Sequence, residues 1–257
     1  VAWGWGLRRR TGDEFTDPGD SPELFERIAH CYDGVNRLLS FGRERHWRKL
    51  AADALRLNAG GRVLDVGTGT GDMALALAKR WPGVEVVGLD PTASMLEVAR
   101  RKREAPGICW IQADGLHLPF ADASFDGTVS AFVLRNVVDV PLALAEQRRV
   151  VRNGGWGADI GAVVCLELSW PQTPIVEALF RFYFAGLMPL IVGALTGHPA
   201  AYRYLPHSVH RFLTPRELTE TMEGVGLQNV QCRRLALGTV MLHRGEQLSG
   251  RTEGGYG

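Results

Sequence analysis

The sequence predicts an α/β fold: a Rossmann-like, seven-stranded, mostly parallel sheet with helices on both faces, an N-terminal helical lid and a helical insert. Three observations predict it. From Arg62 onward, short β-branched runs alternate with helical patterns of about ten residues, the mark of βαβ units. A glycine-rich turn, Gly67-Thr68-Gly69-Thr70-Gly71, follows the first of these strands. Acids stand at the ends of three successive strands: Asp65, Asp90 and Asp114.

The elements follow in order. Residues 1–22 are polar, rich in Gly, Asp and Pro, and read as a flexible arm. The body of the fold spans 23–247, with a helical lid over 23–57. Ser21 and Pro22 form a cap and first-residue pair, and Leu24, Phe25, Ile28 and Ala29 follow at helical spacing. A second helix covers Arg43–Leu57. Strands are expected at Arg62–Val66, Val84–Leu89, Ile108–Gln112, Phe125–Phe132 and Ala162–Leu168. Helices are expected at Asp72–Arg80, Ala93–Lys102 and Pro141–Val151. The stretch 174–206 breaks the rhythm as an apolar helical insert. Thr214 caps a helix to Val225, and Val230–Leu237 with Gly238–Leu242 form a closing antiparallel pair. Residues 248–257 read as a flexible tail.

Composition narrows the partners. The chain has 257 residues, 46% hydrophobic and 22% charged, with a formal net charge of +1. That balance, with arginines scattered among acids, gives no footprint for nucleic acid. Cys31, Cys109, Cys165 and Cys232 form no Cys-x-x-Cys pair, so they read as partly buried thiols in a reducing cytosol rather than a zinc site or disulfide framework. No His/Asp/Glu cluster has ligand spacing, so no metal is expected. No signal peptide follows the arginines of residues 1–10. The expected location is cytoplasmic.

The glycine turn identifies the ligand class. Glycines let a backbone turn sharply and approach a ligand, and the helix behind offers free N–H groups. The spacing Gly-x-Gly-x-Gly differs from the Gly-x-Gly-x-x-Gly of dinucleotide sites. Asp65, just before Gly67, suits a cationic ligand better than a pyrophosphate. S-adenosylmethionine carries both a sulfonium and an ammonium. Asp90 is placed to accept from a ribose diol. Asp114 is placed to accept from an adenine amino group, with the Gly115 N–H on a ring nitrogen. Structural alternatives stay open: a packing role for Asp65 and a turn-capping role for Asp114. A nicotinamide-dependent oxidoreductase is the competing class.

Beyond these features the sequence resembles the ubiquinone/menaquinone biosynthesis C-methyltransferase family from about Phe25 to Gly245. The carrying stretches are Tyr32-Asp33-Gly34-Val35-Asn36, Ser40-Phe41-Gly42, Trp47-Arg48, the glycine turn, Leu118-Pro119-Phe120, Ser124-Phe125-Asp126, Leu134-Arg135-Asn136-Val137, Leu166-Glu167-Leu168-Ser169, Tyr202-Arg203-Tyr204-Leu205-Pro206, Ser208-Val209 and Leu242-His243-Arg244-Gly245. The Leu-Arg-Asn-Val and Tyr-Arg-Tyr-Leu-Pro pieces are the specific ones. The resemblance implies a class I S-adenosylmethionine-dependent methyltransferase acting on a ring carbon of a prenylated quinol, most simply demethylmenaquinol. It makes Thr70, Asp90, Asp114 and Gly115 cofactor contacts. The sequence departs from the family at Ala131, at Val133, where the family has glycine, and at Arg152-Asn153-Gly154-Gly155, after which Trp156–Gly161 reads as an insertion.

Carbon methylation needs an electron-rich ring carbon in line with the methyl group, a stabilised phenolate-like oxygen and exclusion of water. Arg135 is the expected stabiliser, or the holder of a water that accepts the proton; its alternative is a structural salt bridge. Asn136 orients the ring or Arg135. Tyr32 is expected near the methyl-donor end, or else packed within its helix. His117 and His243 are expected in surface or packing roles. Ala178–Leu195 is interrupted by Arg181, Gly186 and Pro189 and is too broken for a membrane span. It reads either as a buried helix pair or as a greasy cover for a prenyl tail, resting on the membrane surface. Transfer to oxygen or nitrogen of another small molecule is the second methyltransferase reading.

Overall fold

The computed structural model describes residue 26, residues 29–30, 32–102, 107–154, 161–188 and 199–248, with backbone alone at 185, 187 and 199–204. The expected arm, the Ser21–Pro22 cap, residues 156–160 of the insertion and the tail beyond 248 lie outside the described residues.

The elements are α1 (Tyr32–Leu39), α2 (Glu44–Leu55), β1 (Arg62–Val66), α3 (Asp72–Arg80), β2 (Glu85–Asp90), α4 (Ala93–Arg101), β3 (Cys109–Gln112), β4 (Gly127–Ala131), α5 (Val140–Val150), β5 (Gly161–Leu168), α6 (Pro174–Arg181), α7 (Pro199–Arg211), α8 (Pro215–Gly224), β6 (Gln228–Leu235) and β7 (Val240–Gln247). A 3₁₀ turn, Leu134–Asn136, follows β4, and a π-helical turn, Phe182–Leu187, continues α6. The strands form one seven-stranded sheet in the order β3-β2-β1-β4-β5-β7-β6. Pairing is parallel from β3 through β5, while β7 runs antiparallel to both β5 and β6.

This order creates the site. Chain order runs outward from β1 to β2 and β3 on one side and resumes at β4 on the other. The loops after β1 and β4 therefore diverge and leave a crevice at the carboxyl edge of the sheet. The central strands are buried on both faces, as a covered parallel sheet requires. Ala51, Ala52 and Leu55 of α2 pack into the same core cluster as Val63, Met73, Leu77 and Val129. Of the expected lid over 23–57, α2 is thus built into the core, and α1 is the part that leans over the glycine turn.

Local chemistry sets the boundaries. The Asp139 carboxylate accepts from the Leu142 N–H at 2.9 Å and starts α5. Thr214 and Glu217 exchange side-chain and backbone hydrogen bonds in a capping box at α8. Two sequence expectations need correction. The last strand does not end at Leu242 but runs to Gln247, because eight residues of β7 pair with β5 and fill an interior place in the sheet. Gly238 belongs to a 3₁₀ turn, Ala236–Gly238, between the strands. The helix ending the insert continues past 206 to Arg211 with Pro206 inside it. Among the described residues, no helix is long and apolar enough to cross a membrane.

Several motif pieces turn out to be structural. Arg149 donates to the Leu118 and Phe120 carbonyls at 3.0 and 2.8 Å, while Glu146 accepts from the Leu118 N–H at 2.8 Å. The pair thereby clamps Leu118-Pro119-Phe120. His243 is fully buried, with Nε2 3.0 Å from the Pro215 carbonyl at the start of α8. Arg244 donates to the Ala54 carbonyl at 2.8 Å, joining β7 to the end of α2. His117 has a largely exposed side chain. Cys109 and Cys232 are exposed and only Cys165 is buried, so the expectation of uniformly half-buried thiols fails for these three.

Candidate active site

Two cavities adjoin at the carboxyl edge of the sheet. The first is walled by the glycine turn, Asp90, Thr92, Met95, Gly115, Leu116 and the residues after β4. The second is walled by α1, α2, α6, the π-helical turn and the β6–β7 turn. Tyr32, Arg48 and Phe132 line both.

The glycine turn forms the floor of the first cavity. Gly67 has φ of 69°, and a Cβ there would lie 2.5 Å from Val133. The Val133 side chain therefore leans on the turn. Gly71 has φ of 85°, and its Cβ would lie 2.6 Å from the Trp110 ring. Both positions need left-handed backbone and close approach at once, which only glycine provides. Gly69 also has positive φ, 54°, and donates its N–H to the Asp90 carboxylate at 2.8 Å.

Each acid has a distinct environment. Asp65 is fully buried and accepts from the Thr68 hydroxyl at 2.6 Å. Burial pushes its carboxyl up to about 7, opposed by that hydrogen bond and by the Arg48 charge. Asp90 lines the cavity, accepts from Gly69 and from the Thr92 N–H at 2.9 Å, and is pushed up by burial to about 6. Asp114 accepts from the Leu116 N–H at 2.8 Å and so caps its own turn. The cavity wall there is formed by Gly115 and Leu116. Thr70 lines the cavity but gives its hydroxyl to Asp33 of α1. Asp33 also meets Lys102 at 2.7 Å, and Lys102 meets Asp72. Asp72 lies 3.8 Å from Arg48. This chain of charges ties α1 and α2 to the glycine turn.

The residues expected to act on the acceptor converge on the junction. Arg135 is buried in the 3₁₀ turn and lines the second cavity. Its guanidinium donates to Glu167 and to the Phe132 carbonyl, each at 2.6 Å. The salt bridge foreseen as the structural alternative exists, and it holds the guanidinium at the cavity wall. Asn136 lines the first cavity, and Tyr32 lines both. Phe132 has φ of 62°, unusual for a side-chain-bearing residue and common at functional sites.

Sequence reasoning missed Glu44, Trp47, Arg48, Phe132 and Gln147. Trp47-Arg48 stood among the motif stretches with no role attached. The Phe132 and Trp47 rings meet edge-on at 6.4 Å, and Arg48 lies 5.8 Å from the Phe132 ring centre. Gln147 on α5 is fully buried, lines the first cavity, and neither of its amide atoms has a hydrogen-bond partner among the described residues. Nothing in the sequence distinguishes it from an ordinary polar helix position.

A seven-stranded sheet with its last strand reversed, a Gly-x-Gly-x-Gly floor and acids on the flanking strand ends defines a class I methyltransferase. Solved structures agree on the fold. A SAM-dependent methyltransferase from Aquifex aeolicus superposes with a TM-score of 0.58 at 15% identity, over 84% of this chain and 98% of that one. A phosphoethanolamine N-methyltransferase from Haemonchus contortus, solved with S-adenosylhomocysteine, gives 0.53 at 14%, over 75% of this chain and 50% of that one. Residues 18–247 match the model of the ubiE/COQ5 methyltransferase family, and the chain belongs to that family. It is 42% identical to a demethylmenaquinone methyltransferase of Thermus thermophilus, over 87% of this chain and all of the relative. It is 40% identical to a ubiquinone/menaquinone biosynthesis C-methyltransferase of Geotalea daltonii, over 91% and 99%.

Proposed function

We propose that the chain transfers a methyl group from S-adenosylmethionine to a ring carbon of a prenylated quinol, with demethylmenaquinol as the acceptor. The observation that carries this is the pair of cavities meeting at Tyr32, Arg48 and Phe132. One has a glycine floor with Thr70, Asp90 and Asn136 in its wall, a form that suits a charged nucleoside; the other has largely aromatic and aliphatic walls. The family and the named activities of the relatives support the same reading.

In this reading the methyl donor lies in the first cavity. Asp90 faces its ribose and the Gly115 N–H its adenine. Gly67, Gly69 and Thr70 border its amino-acid end, and the Asp65 carboxylate beneath the turn favours its positive charge. Asp114 acts through the turn that presents Gly115. The donor supplies an electrophilic methyl group; the protein's part is to align, shield and balance charge. The quinol ring sits against Phe132 and Trp47. The Arg135 guanidinium, fixed by Glu167, stabilises negative charge developing on the ring oxygen, and Asn136 with Tyr32 sets the ring's angle.

The prenyl tail leaves along Leu39, Phe180, Tyr183, Phe184 and Leu205 of the second cavity. Ile175, Leu179 and Phe182 form an exposed stripe at helical spacing on α6 and its continuation, and Phe41, 77% exposed, lies 6.0 Å from the Tyr183 ring. Such a surface suits peripheral contact with a bilayer that holds the acceptor.

The direct test is turnover with isotopically labelled methyl donor and reduced demethylmenaquinol, with mass analysis of the product. Label on the ring carbon is expected. Label on an oxygen, or binding of NADH without S-adenosylmethionine in a calorimetric titration, refutes the reading. Phe184→Ser is expected to reduce turnover of a long-tailed quinol several-fold more than that of a tail-less one, a difference checked by kcat/KM for each; equal losses refute the tail path.

A further inference from the structure

Methylating a phenolic ring carbon requires the ring hydroxyl to give up its proton as the carbon attacks, and something must take it. Among the described residues the first cavity is lined by two acids, Asp72 and Asp90, and both are engaged. Asp90 accepts two backbone N–H groups, and Asp72 is held by Lys102 and lies near Arg48. The acceptor must therefore be sought where the quinol ring sits.

The second cavity is lined by the ionisable side chains of Tyr32, Tyr183, Arg43, Arg48, Arg135 and Glu44. Arginine stays protonated and takes no further proton. A phenol holds its proton at neutral pH. The Tyr183 hydroxyl is moreover donated to the Leu39 carbonyl at 2.9 Å, and burial raises it further above its usual range. Among the described residues Glu44 is the one carboxylate in this lining, and it is buried, with 6% of its surface exposed.

Its position in α2 fits the task. Glu44 and Arg48 stand four residues apart on one helix, hence on one face, about 5.4 Å apart along the axis. Arg48 marks the junction of the two cavities. Trp47, three residues from Glu44, meets Phe132 from the same face. Glu44 therefore stands one helical turn from the point where methyl donor and acceptor ring adjoin. Its bond from the Arg45 N–H steadies the carboxylate at the helix start through one oxygen.

We propose that Glu44 is the proton acceptor of the methyl transfer, resting on the quinol reading above. The Glu44 carboxylate takes the proton of the ring hydroxyl. The oxygen's electron pair moves into the ring, and the adjacent carbon forms its bond to the methyl group as the methyl–sulfur bond breaks. That bond's electron pair stays on sulfur, which leaves as a neutral thioether. The ring now carries a carbonyl and a carbon bearing both hydrogen and methyl. Loss of that hydrogen as a proton to water, with return of the Glu44 proton to the oxygen, restores the quinol. One proton is released per turnover, matching the positive charge lost by the donor. Arg135 remains a cation throughout and carries the charge on oxygen.

The test is Glu44→Gln, which keeps an acceptor oxygen for the Arg45 N–H and changes only the capacity to hold a proton. With reduced demethylmenaquinol, kcat is expected to fall about 100-fold or more. The KM for quinol, the affinity for S-adenosylhomocysteine and the melting temperature are expected to stay at wild-type values. The acidic limb of the kcat–pH profile is expected to vanish in Glu44→Gln, persist in Glu44→Asp, and move upward toward the imidazole range in Glu44→His. Wild-type kcat in Glu44→Gln overturns the assignment, as does an acidic limb unmoved by Glu44→His if the glutamine variant does not fold. A wild type that transfers no methyl group to any quinol overturns the quinol reading itself, and is distinguished by that silence.

Discussion

The two cavities adjoin and are opposite in construction. The first is made from the sheet: turns after β1, β2 and β4, backbone N–H groups, and acids whose neighbours lie within a few residues or on an adjacent strand. The second is made from helices distant in sequence, with Tyr32, Tyr183, Leu205 and Thr239 brought to one wall. A methyl donor common to many reactions can be held by a local, repeatable device. An acceptor particular to one reaction needs side chains gathered from the whole chain.

That contrast can be broken at the first cavity with the largest effect. Gly67→Ala forces a Cβ to 2.5 Å from Val133 and a residue with a side chain into φ of 69°. Binding of S-adenosylhomocysteine, followed by calorimetry, is expected to weaken by about five- to hundredfold, since displaced backbone costs roughly 1–3 kcal/mol. Gly67→Ala with Val133→Gly is expected to recover part of the loss, because the clash is removed and the backbone strain is not.

An intermediate effect concerns Asp65. Burial raises its carboxyl from 3.8 to about 7, so the folded protein binds this proton more tightly than the unfolded chain. Its contribution therefore favours folding at low pH and is progressively lost as pH rises from about 4 to about 7, by a few kcal/mol at most. Asp65→Asn is expected to flatten that part of the stability–pH curve in urea unfolding, and to weaken the sulfonium ligand more than the neutral thioether above pH 7. An unchanged slope contradicts the buried, proton-holding Asp65 described here.

The smallest effect is at Gln147, where a buried amide without a partner costs about 1–3 kcal/mol. Gln147→Met fits an apolar side chain of similar length into the same space. It is expected to raise the melting temperature of the ligand-free protein by a few degrees. A fall instead shows that the amide is satisfied by ordered water.

The sheet was legible because its signals are local. The β-branched runs, the glycine turn and the Thr214 cap each declare themselves within about ten residues. The glycine turn and Asp90 in the wall of the first cavity were legible for the same reason; Arg48, Phe132 and Gln147 in that wall were not. The strand through Gln247 was not, because His243, Arg244 and Glu246 read as a polar surface. Their burial depends on partners far away, the Pro215 and Ala54 carbonyls and the Asn229 side chain. Arg135 and Asn136 were found through a motif, and the Glu167 that fixes Arg135 lay in another motif 32 residues on. Glu44 and Phe132 carried no signal. A glutamate at a helix start and a phenylalanine at a strand end are ordinary until a cavity is seen between them.

The hairpin turn between β6 and β7 supplies Ala236, Thr239 and Val240 to the wall of the second cavity. These residues are translated after every other part of that wall, and β7 must then slip between β5 and β6 to complete the sheet. The described residues that wall the first cavity all lie between Tyr32 and Gln147, whereas the wall of the second is complete only once this hairpin has been made and has entered the sheet.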